Sequence, residues 1–437
     1  MIVLKKSHIK TLLGSIFLFL YIFPFKLYIL PLNNLHFIFI ISFAYLVIKS
    51  LYSNTLLIDK RVIGFFLLIV ILGLWSLVSC FNGSDFIVIK LLLVFSGGFI
   101  IISYFLIDLF FRDLKIEDIF KIIVYVLLAQ AVIAFVIFLN PSIKNIYFNI
   151  IDLQDDLELV KSLSSIRLIG LGVFFFGMGT ILSYGLIIIS WLIINTKMIG
   201  KQTYFFVFAY IIIMAASLFS ARTSTFGIIL SMAYLLCSIR GLSFLVKVFI
   251  CLLIGIVIGY FLIPEDVSYS LQSKVFPWAF EALYNYFDNS TLETASSNRL
   301  QEMYFEFNNY TTFMIGDGYM NDPIGNGYYM NTDAGYMRQI FSYGIIGLVM
   351  SLVVYSYVLV TFLKDKSLTM YVLITIIFEL ILNIKGLMFF YSHVDKILIL
   401  IFLFILLKRN NFYPQKFVTR KDLTTRYLMP KVEINQK

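Results

Sequence analysis

Charged side chains are scarce in this 437-residue chain, since Asp, Glu, Lys and Arg together make up only 14% of it. A soluble domain of ordinary composition carries about 25%, so that class of protein is excluded. Cysteine is scarce too: Cys80, Cys237 and Cys251 lie in or beside apolar stretches and show no paired spacing. The cysteine pattern therefore predicts neither a disulfide framework nor a zinc site.

Apolar residues dominate instead, at 60% of the chain, with 18% aromatic residues and a mean hydropathy of +0.93. Because a bilayer needs about 20 apolar residues for each helical span, the chain has room for about twelve spans. We therefore predict an all-α, polytopic membrane protein whose residues 1–408 form one transmembrane domain. The first apolar run resembles a secretion signal but lacks a cleavage site, so it is predicted to remain as the first span. The predicted spans are 11–31, 34–50, 62–81, 86–108, 119–139, 168–195, 203–220, 223–239, 243–263, 339–363, 368–384 and 394–408.

Most of the 34 Lys and Arg residues lie in the tail or in short loops on one side of these spans. Such an excess marks the cytoplasmic side, so both termini are predicted to be cytoplasmic and the protein to lie in the cytoplasmic (inner) membrane. The tail, residues 409–437, is predicted to be a basic cytoplasmic strip near anionic headgroups. This topology accounts for the net charge of +9, and nucleic-acid binding is not expected.

Two predicted external loops, 140–167 and 264–338, are longer than a connection requires. The second carries ten acidic residues against Lys274, Arg299 and Arg338. Its residues 273–287 have an apolar face, which predicts a short helix that lies in the membrane interface or packs over the spans. A loop of this length usually carries function.

Within the larger loop, Ser296-Ser297-Asn298 predicts a helix start, which would place Arg299 beside free backbone N–H groups that suit an anion. The glycines of residues 315–319 and 325–327 lack the ending of a nucleotide-binding loop, and they predict tight turns that approach the helices or a ligand. Asp333 is predicted to cap the helix that follows it.

Four predicted outward-facing cations need an explanation, because an Arg at membrane depth costs about 2.5 to 3.5 kcal/mol. Arg167, Arg222, Arg299 and Lys385 could converge on one polyanionic headgroup, or each could pair with an acid or extend to the interface. A proton-coupled transporter would place acids within its spans, and only Glu379 fits that pattern.

Several short motifs resemble the O-antigen and capsule repeat-unit polymerases (Wzy type), which are related to the O-antigen ligases. They occur in the family's order and within a similar topology. The motifs are Arg167-Leu168-Ile169-Gly170, Ser220-Ala221-Arg222-Thr223, Arg299-Leu300 ahead of Gly316-Asp317-Gly318, Asp333-Ala334-Gly335-Tyr336 ahead of Tyr343-Gly344-Ile345-Ile346-Gly347, and Asn383-Ile384-Lys385.

The resemblance implies a GT-C-like membrane glycosyltransferase that transfers a glycan from one undecaprenyl pyrophosphate to a sugar hydroxyl on another, with inversion and without a metal or cofactor. It implies three groups of site residues. Arg167, Arg222 and Arg299 would bind pyrophosphate with help from Arg338 or Lys385; Asp333, or else Asp317 or Glu302, would be the base; and Tyr336 and Tyr319 would stack on sugars.

Ligases of this type usually carry a histidine where this chain has Thr332-Asp333, and its only histidines are His8, His36 and His393. This difference favours a polymerase over a ligase. The partners implied are undecaprenyl-pyrophosphate-linked glycans, membrane lipids, a chain-length regulator and a flippase. The alternative is a transporter of polysaccharide or lipid-linked oligosaccharide, in which the large loop would be only a gate.

Overall fold

The structure is a computed structural model that describes residues 6–53, 58–81, 86–153, 157–198, 200–262, 269, 271–291, 293–307, 309–325 and 327–409. Helices dominate these ranges, and they contain isolated β-bridges but no strand. The prediction of an all-α protein is confirmed for this part of the chain. The tail predicted for residues 409–437 lies outside the described residues from position 410 onward.

Nineteen α-helices are described, and we number them in chain order. They are α1 Lys6–Ile22, α2 Asn34–Ser53, α3 Lys60–Cys80, α4 Ile87–Leu93, α5 Ile100–Leu106, α6 Ile116–Leu139, α7 Pro141–Ile150, α8 Leu157–Leu163, α9 Phe175–Asn195, α10 Lys201–Ser220, α11 Ser224–Leu236, α12 Ile239–Leu262, α13 Phe276–Ala279, α14 Glu281–Asn289, α15 Ala295–Glu302, α16 Tyr310–Met314, α17 Gly335–Phe362, α18 Thr369–Leu382 and α19 His393–Arg409. Residues Val94–Phe99, Ile107–Phe111 and Leu271–Val275 form π-helical segments.

Within the described ranges, seven helices are long and apolar enough to cross a membrane: α2, α3, α6, α9, α10, α12 and α17. Three shorter apolar helices cover His8–Ile22, Gly97–Phe111 and Ser224–Leu236. Lipid offers no hydrogen-bond partners to a backbone, so apolar helices that satisfy their own N–H and C=O groups are what a membrane domain requires. The helices indicate a multi-span membrane protein.

Helix α9 lies at the centre of the bundle. It is apolar on all sides and almost wholly buried, and it packs against α6, α10, α11, α18 and α19. Its few polar groups are paired: Trp191 donates to the Ser367 carbonyl at 2.8 Å, and the Tyr184 hydroxyl lies 2.5 Å from that of Tyr371. A helix that is apolar all round is expected inside a bundle, and α9 holds its neighbours in fixed positions.

Helix α17 is bent at Tyr343 and Gly344, where Gly344 has a φ of +69°. Because the bend interrupts the helical hydrogen bonds, carbonyls there need other donors. The Trp75 indole donates to the Tyr343 carbonyl at 2.8 Å, and the Asp317 amide donates to the Phe341 carbonyl at 2.7 Å. The glycine-rich turn around residue 316 therefore packs closely on the helices, as the sequence predicts.

Three local predictions in the large loop are wrong. The amphipathic helix predicted over 273–287 is divided at Phe280 into α13 and α14. The helix start predicted at Ser296-Ser297-Asn298 is confirmed to within one residue, because the Thr294 side chain accepts from Ser297 and caps α15. Arg299 lies in the last turn of α15, so its predicted place beside the free N–H groups of the helix start is wrong. Asp333 is not a cap either: the N-cap of α17 is Ala334, and no side chain caps that end.

We expect Gly344→Ala to destabilise the protein. A Cβ at this position would lie 2.1 Å from the Met314 carbonyl oxygen, and the positive φ is unfavourable for alanine. The cost should be about 1 to 3 kcal/mol or more, measured as a lower thermal unfolding midpoint in detergent. Gly73→Ala in α3 is the control, because a Cβ at that position would have no atom within 4 Å of it. Equal midpoints for the two variants would contradict the role of the bend.

Candidate functional site

A cavity of about 1110 Å³ opens at the end of the bundle that carries the large loop. We call it the site cavity. Its lining residues come from four segments of the chain, within 159–177, 221–223, 278–338 and 385–391. These segments are far apart in sequence, so only the packing of the bundle brings them together.

All five cations proposed from the sequence line this cavity: Arg167, Arg222, Arg299, Arg338 and Lys385. The sequence left two possibilities open: the cations could converge on one site, or each could have its own partner. In the structure they converge on one cavity. The functional roles assigned to the residues stay predictions.

Each cation is placed by a different element. Arg167 follows α8, and the next amide, of Leu168, donates to the Phe219 carbonyl at the end of α10. Arg222 lies in the tight turn between α10 and α11, where the backbone of Ala221 is extended. Arg299 lies in α15 and Arg338 near the start of α17. This scaffold is mostly helical, which gives the site fixed geometry.

Lys385 reaches the cavity because the turn after α18 packs on the start of α17. The Tyr336 amide donates to the Asn383 carbonyl at 3.2 Å. The Asn383 side chain also joins the two helices by donating to Gln339 at 3.0 Å, and it accepts from the Met388 amide at 3.0 Å. Asn383 is therefore a structural residue of the site.

The cations outnumber the acids at this site. Arg222 forms an ion pair with Glu281, and the Lys385 ammonium lies 3.9 Å from the Asp333 carboxylate. Among the residues that the structure describes, no carboxylate lies within 4.0 Å of Arg167, Arg299 or Arg338. Arg299 is exposed, but Arg167 is partly buried and Arg338 is buried. Buried charges without counter-ions are costly, so the cavity favours an anionic ligand.

Burial and mutual repulsion both disfavour the charged forms of Arg167 and Arg222. Burial lowers the pKa of Arg167, and the positive charge of Arg222 lowers it further. Burial also lowers the pKa of Arg222. Arginine nevertheless stays protonated in proteins, and an anion bound between the two would relieve the repulsion.

Trp278 is a residue of the site that the sequence did not single out. Its indole ring lies 4.6 Å from the Arg167 guanidinium carbon and 5.3 Å from that of Arg222. An aromatic face attracts a cation by about 0.5 to 2 kcal/mol, so one ring stabilises both like charges. A lone tryptophan among many loop aromatics gave no signal of this contact.

Glu281 was also missed, because it is one of many acids in the loop. One carboxylate oxygen pairs with Arg222, and the other accepts from the Ala295 amide at 2.8 Å, at the start of α15. A carboxylate is favourable at a helix N-terminus. Glu281 therefore joins α14, the α10–α11 turn and the helix that carries Arg299.

Asp333 is the only carboxylate residue that lines the cavity within the described part of the chain. Its position is set by Thr332, whose hydroxyl donates to the Met303 carbonyl at 3.1 Å. Burial raises the pKa of Asp333, and the positive charges of Lys385, Arg338 and Arg299 partly oppose this rise. Its side chain is still 41% exposed, so a ligand can reach it.

Arg338 has an aromatic partner as well. Its guanidinium carbon lies 3.7 Å from the centre of the Tyr328 ring. The residue is 8% exposed, and its Nε atom is buried without a hydrogen-bond partner. A buried donor without an acceptor is rare in proteins, which indicates a place for a ligand oxygen.

Four residues that the sequence proposed do not line the site cavity. Asp317 accepts from the Thr312 hydroxyl at 2.6 Å, within the turn that packs on the bend of α17. Glu302 is exposed at the end of α15. Tyr319 packs on the ring of Tyr329, and the Tyr336 hydroxyl donates to the Leu380 carbonyl. Tyr328 and Tyr391 are the tyrosines that line the cavity among the described residues.

The described residues include no group of three or more His, Cys, Asp or Glu side chains that could hold a metal ion. The chain matches no family model, no curated protein and no solved structure. The chemistry of the site is therefore argued from its geometry and charges.

We expect the cavity to bind inorganic pyrophosphate, with Arg222→Gln weakening the affinity about tenfold or more, because a charge-assisted hydrogen bond contributes about 1.5 to 3 kcal/mol. Glu281→Gln should raise the affinity, since it removes the competing carboxylate but keeps an acceptor for Ala295. Calorimetric titration of the detergent-solubilised protein measures both. Arg240→Gln, at an exposed position outside the cavity, is the control. If Arg222→Gln and Arg240→Gln bind equally well, the anion site is wrong.

Proposed function

We propose that this protein is a membrane glycosyltransferase that joins lipid-pyrophosphate-linked oligosaccharide repeat units into a polymer at the outer face of the cytoplasmic membrane. The observation that carries the proposal is the convergence of five cations and Asp333 in one cavity of about 1110 Å³. A diphosphate group needs several positive charges, and a cavity of this volume also leaves room for sugars.

The reaction would use the two kinds of charge in different ways. The hydroxyl oxygen of the acceptor sugar forms a bond to the anomeric carbon of the donor glycan, and the bond from that carbon to the pyrophosphate oxygen breaks. Lipid pyrophosphate leaves with the bonding electron pair, and the cations stabilise its negative charge. The Asp333 carboxylate takes the proton of the acceptor hydroxyl.

The identity of the base is supported by position and charge. Asp333 is the acid that lines the cavity, whereas Asp317 and Glu302 lie outside it. Its raised pKa makes it a stronger base than an ordinary aspartate. The 3.9 Å distance to Lys385 keeps the carboxylate ionised and near the anion site.

A lipid-linked substrate also needs apolar surface that is open to the membrane. An apolar groove of about 610 Å³ lies between α6 and α10, lined by Val132, Phe135, Val136, Phe208 and Ile212 among others. Helix α10 ends at Ser220, and Ala221 and Arg222 follow it in the turn. The groove supports a substrate whose tail lies along α10 and whose charged head lies beyond its end.

The proposed topology has twelve spans with both termini in the cytoplasm. In addition to the seven long helices, α1, the segment from α4 to residue 111, α11, α18 and α19 would complete the crossings. The segments that line the cavity then all fall on the external side, opposite the basic loops. The fold would be GT-C-like, and the expected partners are undecaprenyl-pyrophosphate glycans, a flippase and a chain-length regulator.

A ligase is less favoured, because no histidine lines the site cavity among the described residues.

Transport is the second candidate function, and a separate observation favours it. Glu379, Asp395 and Lys396 are buried inside the bundle, at 0%, 1% and 4% exposure. Ionisable groups at membrane depth often mark proton or ion pathways. The cation-lined cavity has no corresponding role in a proton pathway, so polymerisation remains the first proposal.

Glycan profiles of living cells test the proposal. Arg222→Ala and Arg299→Ala should each abolish long glycan chains, because pyrophosphate charge is no longer stabilised; Arg240→Ala should leave the chain-length distribution unchanged. Deletion of the gene should leave single repeat units displayed outside the cell. Units trapped at the cytoplasmic face of a deletion strain would support the transporter instead, and normal chain length in both arginine variants would refute the polymerase.

The pH dependence of polymerisation tests Asp333. A base with a raised pKa is active above that pKa and loses activity as the pH falls through it. Lys385 lowers the pKa of Asp333, so Lys385→Gln should move this loss of activity to higher pH, whereas Lys385→Arg should not. Chain synthesis in isolated membranes, followed across pH, is the measurement. An unchanged profile in Lys385→Gln would contradict the assignment of Asp333 as the base.

A further inference from the structure

A second cavity, of about 320 Å³, lies beside the site cavity at the same end of the bundle. It is lined by residues 24–26 and 31–33 of the loop between α1 and α2, by His36 in the first turn of α2, by residues 151–153, and by Gly172 and Phe174. We call it the second cavity. It takes no part in the chemistry described above, and it contains none of the five cations of the site cavity.

The walls of the second cavity are held by backbone contacts. Leu27 and Ile151 form an antiparallel bridge, and the Asp152 amide donates to the Lys26 carbonyl at 2.9 Å. On the other wall, Gly172 has a φ of +67°, and a Cβ there would lie 2.0 Å from the Pro24 carbonyl oxygen. Only glycine allows this approach, so the cavity is a preformed part of the fold.

Polar and aromatic groups are combined in its lining. Lys26 and Asp152 form an ion pair at 2.7 Å, and the His36 ring nitrogen lies 2.5 Å from the Asn33 side-chain oxygen. The ring of Phe25 adds an apolar surface, as does that of Phe174. A sugar presents hydroxyl groups at its edge and C–H groups on its face. The polar groups of this lining can hydrogen-bond the hydroxyl groups of a sugar, and its aromatic rings can pack on the C–H groups.

The charges of the lining argue against two other ligands. Because the two charges of the ion pair offset each other, the second cavity lacks the unpaired cations that would select a phosphate. An ion pair and an amide side chain are also unsuited to a lipid tail, which would leave them unsolvated. A neutral, hydroxyl-rich ligand fits the lining best.

The two cavities share a wall. Phe174 lines both of them. It lies in a tight hairpin, bridged to Ile169, that begins just after Arg167 and contains Gly172. Arg167 thus faces the site cavity while Gly172 faces the second cavity, within one short segment. A ligand that extends past Phe174 would occupy both.

We propose that the second cavity is a glycan subsite, which binds sugars of a chain whose reacting end lies in the site cavity. The inference rests on the proposed function, because it extends the substrate of that same site. Phe174 would be the boundary at which the sugar chain passes from the cationic cavity into the neutral one. Residues around His36 would then contact sugars several positions away from the bond that forms.

Photo-crosslinking in living cells tests this subsite without knowledge of the sugar. A photoreactive phenylalanine analogue is introduced separately at His36 in the second cavity, at Leu159 in the site cavity and at Ile29. Ile29 lies in the loop that precedes α2, the helix that carries His36, but it is 89% exposed and lines neither cavity. After illumination, glycan attached to the protein is detected as a ladder on a gel. We expect ladders from His36 and Leu159 and none from Ile29.

The outcomes separate the two proposals. A ladder from Leu159 with none from His36 overturns the glycan subsite while leaving the polymerase standing, and a ladder of equal strength from Ile29 overturns it too. No ladder from either cavity contradicts the proposed function itself. Pyrophosphate titration of each labelled protein verifies that it is folded, and Asn33 is the replacement position if the His36 variant does not bind pyrophosphate.

Discussion

Repulsion among cations that are held close together in a membrane protein is the constraint on which the rest of this site depends. Two like charges about 5 to 10 Å apart repel by about 2 to 3 kcal/mol at an effective dielectric constant of 20. The fold offsets this cost without neutralising every charge. Trp278 contacts two guanidiniums, Tyr328 contacts a third, and Glu281 pairs with Arg222. The cavity keeps a net positive charge, which an anionic ligand would neutralise.

The membrane domain makes this arrangement possible because its helices are rigid and mutually packed. Helix α9 lies buried at the centre and packs against α10 and α11, and the turn between these two helices carries Arg222. The bend of α17 brings the glycine-rich turn against the helices, and the same helix carries Arg338. Positions on short turns between such helices are more precise than positions on long free loops. A site built in this way can bind an anion without large rearrangement.

Asp333 and Lys385 place opposite charges side by side in the site cavity. The carboxylate is partly buried, which raises its pKa, yet the nearby cations favour its ionised form. If the proposed function is right, these two effects together would set the basicity of Asp333 next to the cations of the site cavity. Asp317 differs from Asp333, because its carboxylate accepts hydrogen bonds from the hydroxyls of Thr312 and Tyr329 and stabilises the turn.

The sequence by itself determined the class of protein, the all-α architecture and the cations worth considering, because hydropathy and the presence of isolated charges in apolar chains are local properties. It predicted Arg167, Arg222 and Arg299 as candidates, and they do meet in one cavity. Tertiary structure alone decided that they meet, that Trp278 and Glu281 join them, and that Asp317 does not. The contacts of Arg167 and Arg222 with Trp278, and of Arg222 with Glu281, join residues more than fifty positions apart, and Asp317 is held by the turn that packs on the bend of α17. The crossing and packing of helices create such contacts, and no local pattern records them.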